Sequence, residues 1–352
     1  MVRHRTPRWR VGSLVAGIAV AVLTTGCEVP VFDPSGKAGQ DEPRETISVP
    51  AAPVPTTAEV PPAVSRQEVQ RALRRGAANA RTMGVKISAA VSSPEWERPA
   101  QVNGSDEYRM WSMAKTVTAV AALRAAREQG TVPSELRSSI NGAIKGSENC
   151  RQRLAVLWLQ ELTGGPEAAA DAVSAELDQA GASEVSVSSQ PAPPAADCIG
   201  FLKASRVPDP LASTLQLGTS TWSVDSASRF ALALAEGTLG EPGNEVFGVM
   251  QLPKRRSREQ KSPGDYTAAI DWGAGRTLSG LNPAYKAGWG GVEQQDFVAG
   301  QLVALSLGVG DFGVALYADP DQQPPIDDPG QTKGPAAIEG VLRELRRTIA
   351  AG

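Results

Sequence analysis

The sequence predicts an α+β domain: a sheet covered by helices from both ends of its folded region, with a helical subdomain inserted between them. Three observations carry this expectation. A helical pattern and an apolar strand pattern open the folded region, Ala/Leu/Val-rich helices fill its middle, and two apolar runs precede a last helix.

In chain order, residues 1–27 come first and have the layout of an export segment. Arg3, Arg5, Arg8 and Arg10 precede the apolar run 11–23 and then Thr24-Thr25-Gly26-Cys27. That run is shorter than the roughly 20 residues a membrane span needs. The small residue before Cys27 resembles a bacterial lipoprotein cleavage site, at which Cys27 would become the lipidated N-terminus. An ordinary signal peptide and an uncleaved anchor are the alternatives. The first reading gives a lipid-anchored protein on the cell membrane, the others a secreted or N-terminally anchored one, and all three are extracytoplasmic. Residues 28–64, punctuated by Pro30, Pro34, Pro43, Pro50, Pro53, Pro55, Pro61 and Pro62, read as a disordered tether. The folded domain is then 65–352.

Within it, Ser65-Arg66-Gln67-Glu68 is a capping-box pattern opening a helix to about residue 81. Strands are expected over 85–91 and, more briefly, 108–111. Helices are expected over 113–129, 150–162, 167–180 and 223–236, the first ending at Gly130 and the second at Gly164-Gly165-Pro166. The stretch 186–210 is Pro-rich and irregular. Strands over 297–307 and 312–317 and a helix over 335–349 finish the chain.

Composition narrows the chemistry. With 35 Lys+Arg against 38 Asp+Glu the net charge is −3, which disfavours a nucleic-acid-binding face. The sole histidine is His4, inside the export segment, so the exported domain has none. Ser-His-Asp and Cys-His catalysis and His-ligated metal sites are thereby excluded. The acidic residues show no metal-ligand spacing, and no phosphate-cradling glycine loop occurs, so neither metal nor cofactor is expected. Beyond Cys27, Cys150 and Cys198 form an even pair in an oxidising compartment, read as a disulfide, with two buried thiols as the alternative. Lys254, Arg255, Arg256, Arg258 and Lys261 form a basic cluster, either a solvated loop or a contact for an anionic polymer or lipid.

Ser112-Met113-Ala114-Lys115 sets a serine in the first turn of a helix and a lysine three residues on, on the same face. A neutral lysine so placed can take the serine's proton. The bland alternative is a helix cap followed by a solvated lysine. Two later patterns change the balance: Ser147-Glu148-Asn149 before a helix, and Lys286-Ala287-Gly288 before Trp289-Gly290-Gly291. In that order S-x-x-K, S-x-N and K-A-G resemble the serine β-lactamase and penicillin-binding protein family, here in lipoprotein form. The Gly164-Gly165-Pro166 turn between helices, Thr219-Ser220-Thr221 before the helix with Ala227, Phe230 and Leu234, and the closing helix resemble class A β-lactamases in the same order. The similarity spans about 65–350.

The resemblance implies a β-lactamase/transpeptidase-like fold with an antiparallel sheet, and it implies roles. Ser112 is the acylated nucleophile and Lys115 its base. Ser147 relays a proton between Lys115 or Lys286 and the leaving group. Asn149 binds the acyl-side amide, and Lys286 brings positive charge near Ser147 and a substrate carboxylate. The strand residues Ala287, Gly288 and Trp289 flank the substrate, and the N–H groups of Ser112 and Trp289 form an oxyanion hole. Trp111 is read as core packing or as a pocket wall.

Three departures matter. The Ser112-to-Ser147 spacing is short for class A, so the helical lobe is trimmed there. Ala287 stands where Thr or Ser helps bind the substrate carboxylate. The loop that carries the water-activating Glu in class A enzymes has Pro191-Ala192-Pro193 at the matching place, with Asp197 and Asp209 the nearest carboxylates. The expectation is therefore an exported serine hydrolase acting through an acyl-enzyme on a β-lactam or D-alanyl-D-alanine-like peptide. The alternative is an inactive or weakly active envelope lipoprotein of the same fold that binds a cell-wall peptide or a protein partner.

Overall fold

A computed structural model describes residues 64–252, 272–290, 298–321 and 333–350. The export segment with Cys27, the tether up to residue 63 and the basic cluster 254–261 lie outside the described residues.

Helix α1 (Arg66–Thr82) begins with the expected capping box: Ser65 accepts from the Glu68 N–H while the Glu68 carboxylate accepts from the Ser65 N–H. Strands β1 (Val85–Ser92), β2 (Ala100–Val102) and β3 (Glu107–Arg109) follow. A 3₁₀ turn, Trp111–Met113, leads into α2 (Ala114–Glu128), and α3 (Ser134–Lys145), α4 (Asn149–Thr163) and α5 (Pro166–Gln179) complete the helical lobe. The irregular stretch contains β4 (Val185–Ser186), β5 (Pro191–Ala192), α6 (Ile199–Lys203) and β6 (Thr214–Leu215). After β7 (Thr221–Ser223) come α7 (Val224–Glu236), α8 (Gly240–Gln251) and α9 (Ala274–Thr277), then β8 (Ala284–Gly290), β9 (Val298–Leu307), β10 (Gly310–Pro320) and α10 (Lys333–Ile349).

The main sheet has the order β2-β1-β10-β9-β8 and is antiparallel throughout. Side chains alternate across a strand, and both faces are covered, so β9 and β10 read as nearly continuous apolar runs. Phe312, Val314, Leu316 and Ala318 face the core that Val69 and Leu73 of α1 share with Ile338, Val341 and Leu345 of α10. Ala315 and Tyr317 face the other core, built with Phe230 and Leu234 of α7 and the helical lobe. Each fully buried Leu, Ile or Val contributes about 1.5–3 kcal/mol, which explains why the terminal helices dock on the sheet. At Gly313 a Cβ would meet Ser228 O and Leu232 N at 2.1 and 2.2 Å, so a side chain there would push α7 off β10.

The expected α+β layering is present, with differences in detail. The helix expected from residue 113 starts as a 3₁₀ turn at Trp111, and the extended stretch 108–111 stops at Arg109. Helices α3 and α8 and strand β8 arise where no regular element was expected.

Candidate active site

Three chain segments converge where α2, α4 and β8 meet. The first is the 3₁₀ turn carrying Ser112. Its register is set by Met110 and Met113, both buried at 1 %, and by the Met110 N–H donating to Ser220 O at 2.8 Å. Lys115 follows in the first turn of α2 and is only 4 % exposed. The second segment enters α4 through Ser147, Glu148 and Asn149. The third is β8, an edge strand of the sheet, which carries Lys286, 2 % exposed.

The Ser147 hydroxyl is the hub. Ser147 Oγ donates to Ser112 Oγ at 3.1 Å and accepts from Lys286 Nζ at 3.0 Å and Lys115 Nζ at 3.4 Å. Lys115 Nζ also donates to Ser147 O at 2.6 Å and to Asn149 Oδ1 at 2.8 Å, while Lys286 Nζ donates to Ala287 O at 2.6 Å. Two hydroxyls, two amines and an amide brought from four elements thus form one connected set.

The backbone is contorted at this place. Trp111 (φ 46°) and Ser147 (φ 52°) are left-handed, and the other non-glycine residues with positive φ in the described chain, Asn103 and Asn282, are of the type that tolerates it. Strain of this kind costs roughly 1–3 kcal/mol per residue and persists where surrounding structure enforces it. Strand β8 approaches the turn closely: a Cβ on Gly288 would lie 3.1 Å from Ser112 N and 3.2 Å from Met110 O and Met113 N. At Gly290 a Cβ would meet the Trp111 ring at 2.4 Å. Glycine at 288 therefore lets the edge strand sit against the backbone of the turn that carries Ser112.

A cleft of about 450 Å³ opens on this cluster. Ser112, Lys115, Asn149, Trp111 and Trp289 line the end near the Ser112 hydroxyl, and Arg109 stacks over the Trp111 ring at 5.5 Å. Trp111 thus serves as a wall. Ala287 is placed differently from a substrate-facing residue. It is 4 % exposed and packs in the core on the α1/α10 side of the sheet, so it offers the cleft cluster its carbonyl and no side chain.

The opposite wall is the loop closed at its neck by β5 pairing with β6, Pro191 opposite Leu215 and Ala192 opposite Thr214. One face of α4 ties this loop down. Cys150 and Cys198 form a disulfide with Cα atoms 5.2 Å apart. Arg153 donates to Pro193 O, Ala192 O and Ala212 O, and the Gln160 amide bonds Ser213 O and the Leu215 N–H. Among the described residues, no Asp or Glu lines the cleft. Asp197 and Asp209 are exposed and lie outside the lining; Asp197 sits instead beside the disulfide, whose oxidised sulfurs are not metal ligands.

Sequence reasoning missed Gln152, Arg153 and Val156, which follow Asn149 on the cleft face of α4. The signal was available: they stand three, four and seven residues after Asn149, one face of a helix.

No protein-family profile matches the chain, and no curated protein matches it in sequence. Solved structures do match in fold. A β-lactamase from Sphaerobacter thermophilus superposes with a TM-score of 0.50 at 15% identity, over 80% of this chain and 98% of that one. An ancestral class A β-lactamase gives 0.50 at 16% identity over 79% and 99%. A variant of the class A β-lactamase of the last common ancestor of Gram-negative bacteria gives 0.50 at 16% over 80% and 98%. The chain has a β-lactamase-like fold.

Proposed function

We propose that this domain is a serine hydrolase of β-lactamase and DD-peptidase type that works through an acyl-enzyme on Ser112. The supporting observation is the 3.1 Å hydrogen bond between Ser147 Oγ and Ser112 Oγ, with both buried lysines bonded to Ser147. Ser112 Oγ attacks the carbonyl carbon of a β-lactam or a D-alanyl-D-alanine-like peptide, and its proton passes to Lys115 once that amine has given up one of the protons it donates to Ser147 and Asn149. The tetrahedral oxyanion lies between the N–H groups of Ser112 and Trp289, the largest expected source of barrier lowering. Collapse breaks the C–N bond, and the leaving nitrogen takes a proton through Ser147, which Lys115 and Lys286 replenish. Asn149 holds the acyl-side amide. Hydrolysis of the ester then needs a base for water, and the described residues of the cleft lining include no carboxylate. The acyl-enzyme is therefore long-lived.

In the same reading, residues 1–27 direct export, Cys27 carries the lipid that holds the protein on the cell membrane, and residues 28–64 tether the domain. Intact mass of detergent-extracted protein tests this: a diacylglyceryl-type mass increase at Cys27 supports it, and an unmodified or uncleaved N-terminus overturns it.

A second reading, a non-catalytic envelope lipoprotein that binds a cell-wall peptide or protein partner, is favoured by the acid-free cleft and by Ala287, whose methyl is turned into the core. Labelling with a fluorescent penicillin separates the two. Covalent label lost in Ser112→Ala supports the hydrolase, and absence of label at high concentration supports the binder.

A further inference from the structure

We propose that Arg153 makes this cleft selective for substrates bearing a carboxylate on the acyl side, just beyond the amide held by Asn149; this deepens the acyl-enzyme reading above and rests on it. Helix α4 presents Asn149, Gln152, Arg153 and Val156 to the cleft. At 1.5 Å rise per residue, Arg153 lies about 6 Å farther along the helix than Asn149, away from the nucleophile. In this proposal a group attached next to the acyl-side amide extends along α4 toward it.

Among the described residues no carboxylate pairs with the guanidinium there. Arg153 Nη1 donates to Pro193 O at 3.0 Å, and Nη2 donates to Ala192 O at 2.8 Å and Ala212 O at 2.9 Å, all neutral acceptors. A guanidinium has five N–H bonds, so two remain, and the buried Nε has no partner among the described residues. Burial lowers its pKa from the ordinary arginine value, with no carboxylate to oppose the shift. Among the described residues lining the cleft the charged ones are Lys115 and Arg153, both cations. Holding three loop carbonyls takes three N–H donors, which does not by itself require a net charge. A partly desolvated cation without a counter-charge is costly unless an anion joins it, and the cleft leaves that anion to be brought by the substrate.

The test compares second-order acylation rates for carbenicillin, which has a carboxylate on its acyl side chain, and benzylpenicillin, which differs by lacking it. Wild type is expected to favour carbenicillin by about five- to tenfold at 50 mM NaCl, with the ratio falling as salt rises. Arg153→Gln brings the ratio to about one, while Arg153→Lys, which loses the planar grip on three carbonyls but keeps the charge, retains a preference. A wild-type ratio near one, or a preference that survives in Arg153→Gln, overturns the proposal. Should Arg153→Gln fail to fold, the wild-type ratio and its salt dependence decide. Absence of acylation by either penicillin overturns the acyl-enzyme reading itself, an outcome distinct from acylation without preference.

Discussion

The two walls of the cleft are built on different principles. One is assembled from the ends of regular elements: the turn into α2, the start of α4 and edge strand β8. It carries a continuous chain of hydroxyl and amine groups, with Ser147 Oγ 3.1 Å from Ser112 Oγ. The other is a loop pinned to α4 by the Cys150–Cys198 disulfide, Arg153 and Gln160, and it supplies side chains such as Ala192, Leu215 and Leu217 with no acid among them. If the proposed acyl-enzyme chemistry holds, forming an ester and hydrolysing it fall to separate parts of one fold. In the account proposed above, this chain keeps the first part and lacks the second.

The strongest way to break that contrast is to disable the first wall. Lys115→Met should slow acylation by about 10²–10⁴-fold, the range for loss of a positioned base, as read by stopped-flow with a chromogenic cephalosporin. Untying the second wall should act on stability. Replacing both Cys150 and Cys198 with Ser releases a crosslink spanning 48 residues in sequence, worth about 3–4 kcal/mol in the loop-entropy picture. Urea unfolding should show that loss while labelling of Ser112 persists.

Crowding the meeting point should cost less. Gly288→Ala sets a methyl 3.1 Å from Ser112 N and should lower acylation by about 10²-fold, as removal of an oxyanion donor does. Giving the loop wall what it lacks should sharpen the comparison. Ala192→Glu is expected to shorten the acyl-enzyme lifetime by about tenfold, measured by loss of bound penicillin, with the gain limited because Arg153 already grips that residue's carbonyl.

The smallest effect concerns an ion pair that lines neither wall. Burial pushes the Asp106 carboxyl up, but hydrogen bonds from Lys86 and Ser88, with the Lys86 charge, outweigh it and hold its pKa below the usual value. A depressed carboxylate contributes stability above its unfolded pKa of about 3.9 and loses it as pH falls through the folded value. Both partners are about a third exposed, so solvent screening keeps the contribution below about 1 kcal/mol. The advantage of wild type over Asp106→Asn in thermal unfolding should shrink between pH 5 and pH 2.

Much of the first wall was legible in the sequence, because its residues come as short motifs at helix starts, and both caps and motifs are local signals. The Cys150–Cys198 pair was legible from the cysteine count. Helix α8 was hidden by Gly240, Pro242, Gly243 and Gly248, whose propensities oppose a helix; burial of Val246, Val249 and Met250 against the lobe overrides them. Strand β8 was hidden because three of its seven residues include two glycines and a lysine, a poor strand pattern, and its pairing with β9 supplies the register. The outward or inward turn of Ala287 depended on that register, since neighbouring strand residues face opposite sides. Arg153 was overlooked because it belongs to no motif, and its importance comes from the loop carbonyls and cleft that only the tertiary fold brings to it.

A mass-spectrometric time course with benzylpenicillin addresses the central claim most directly. The account predicts an adduct of the whole penicillin mass on the peptide containing Ser112, persisting for hours and missing in Ser112→Ala. An unmodified protein, or an adduct on another residue, would contradict it.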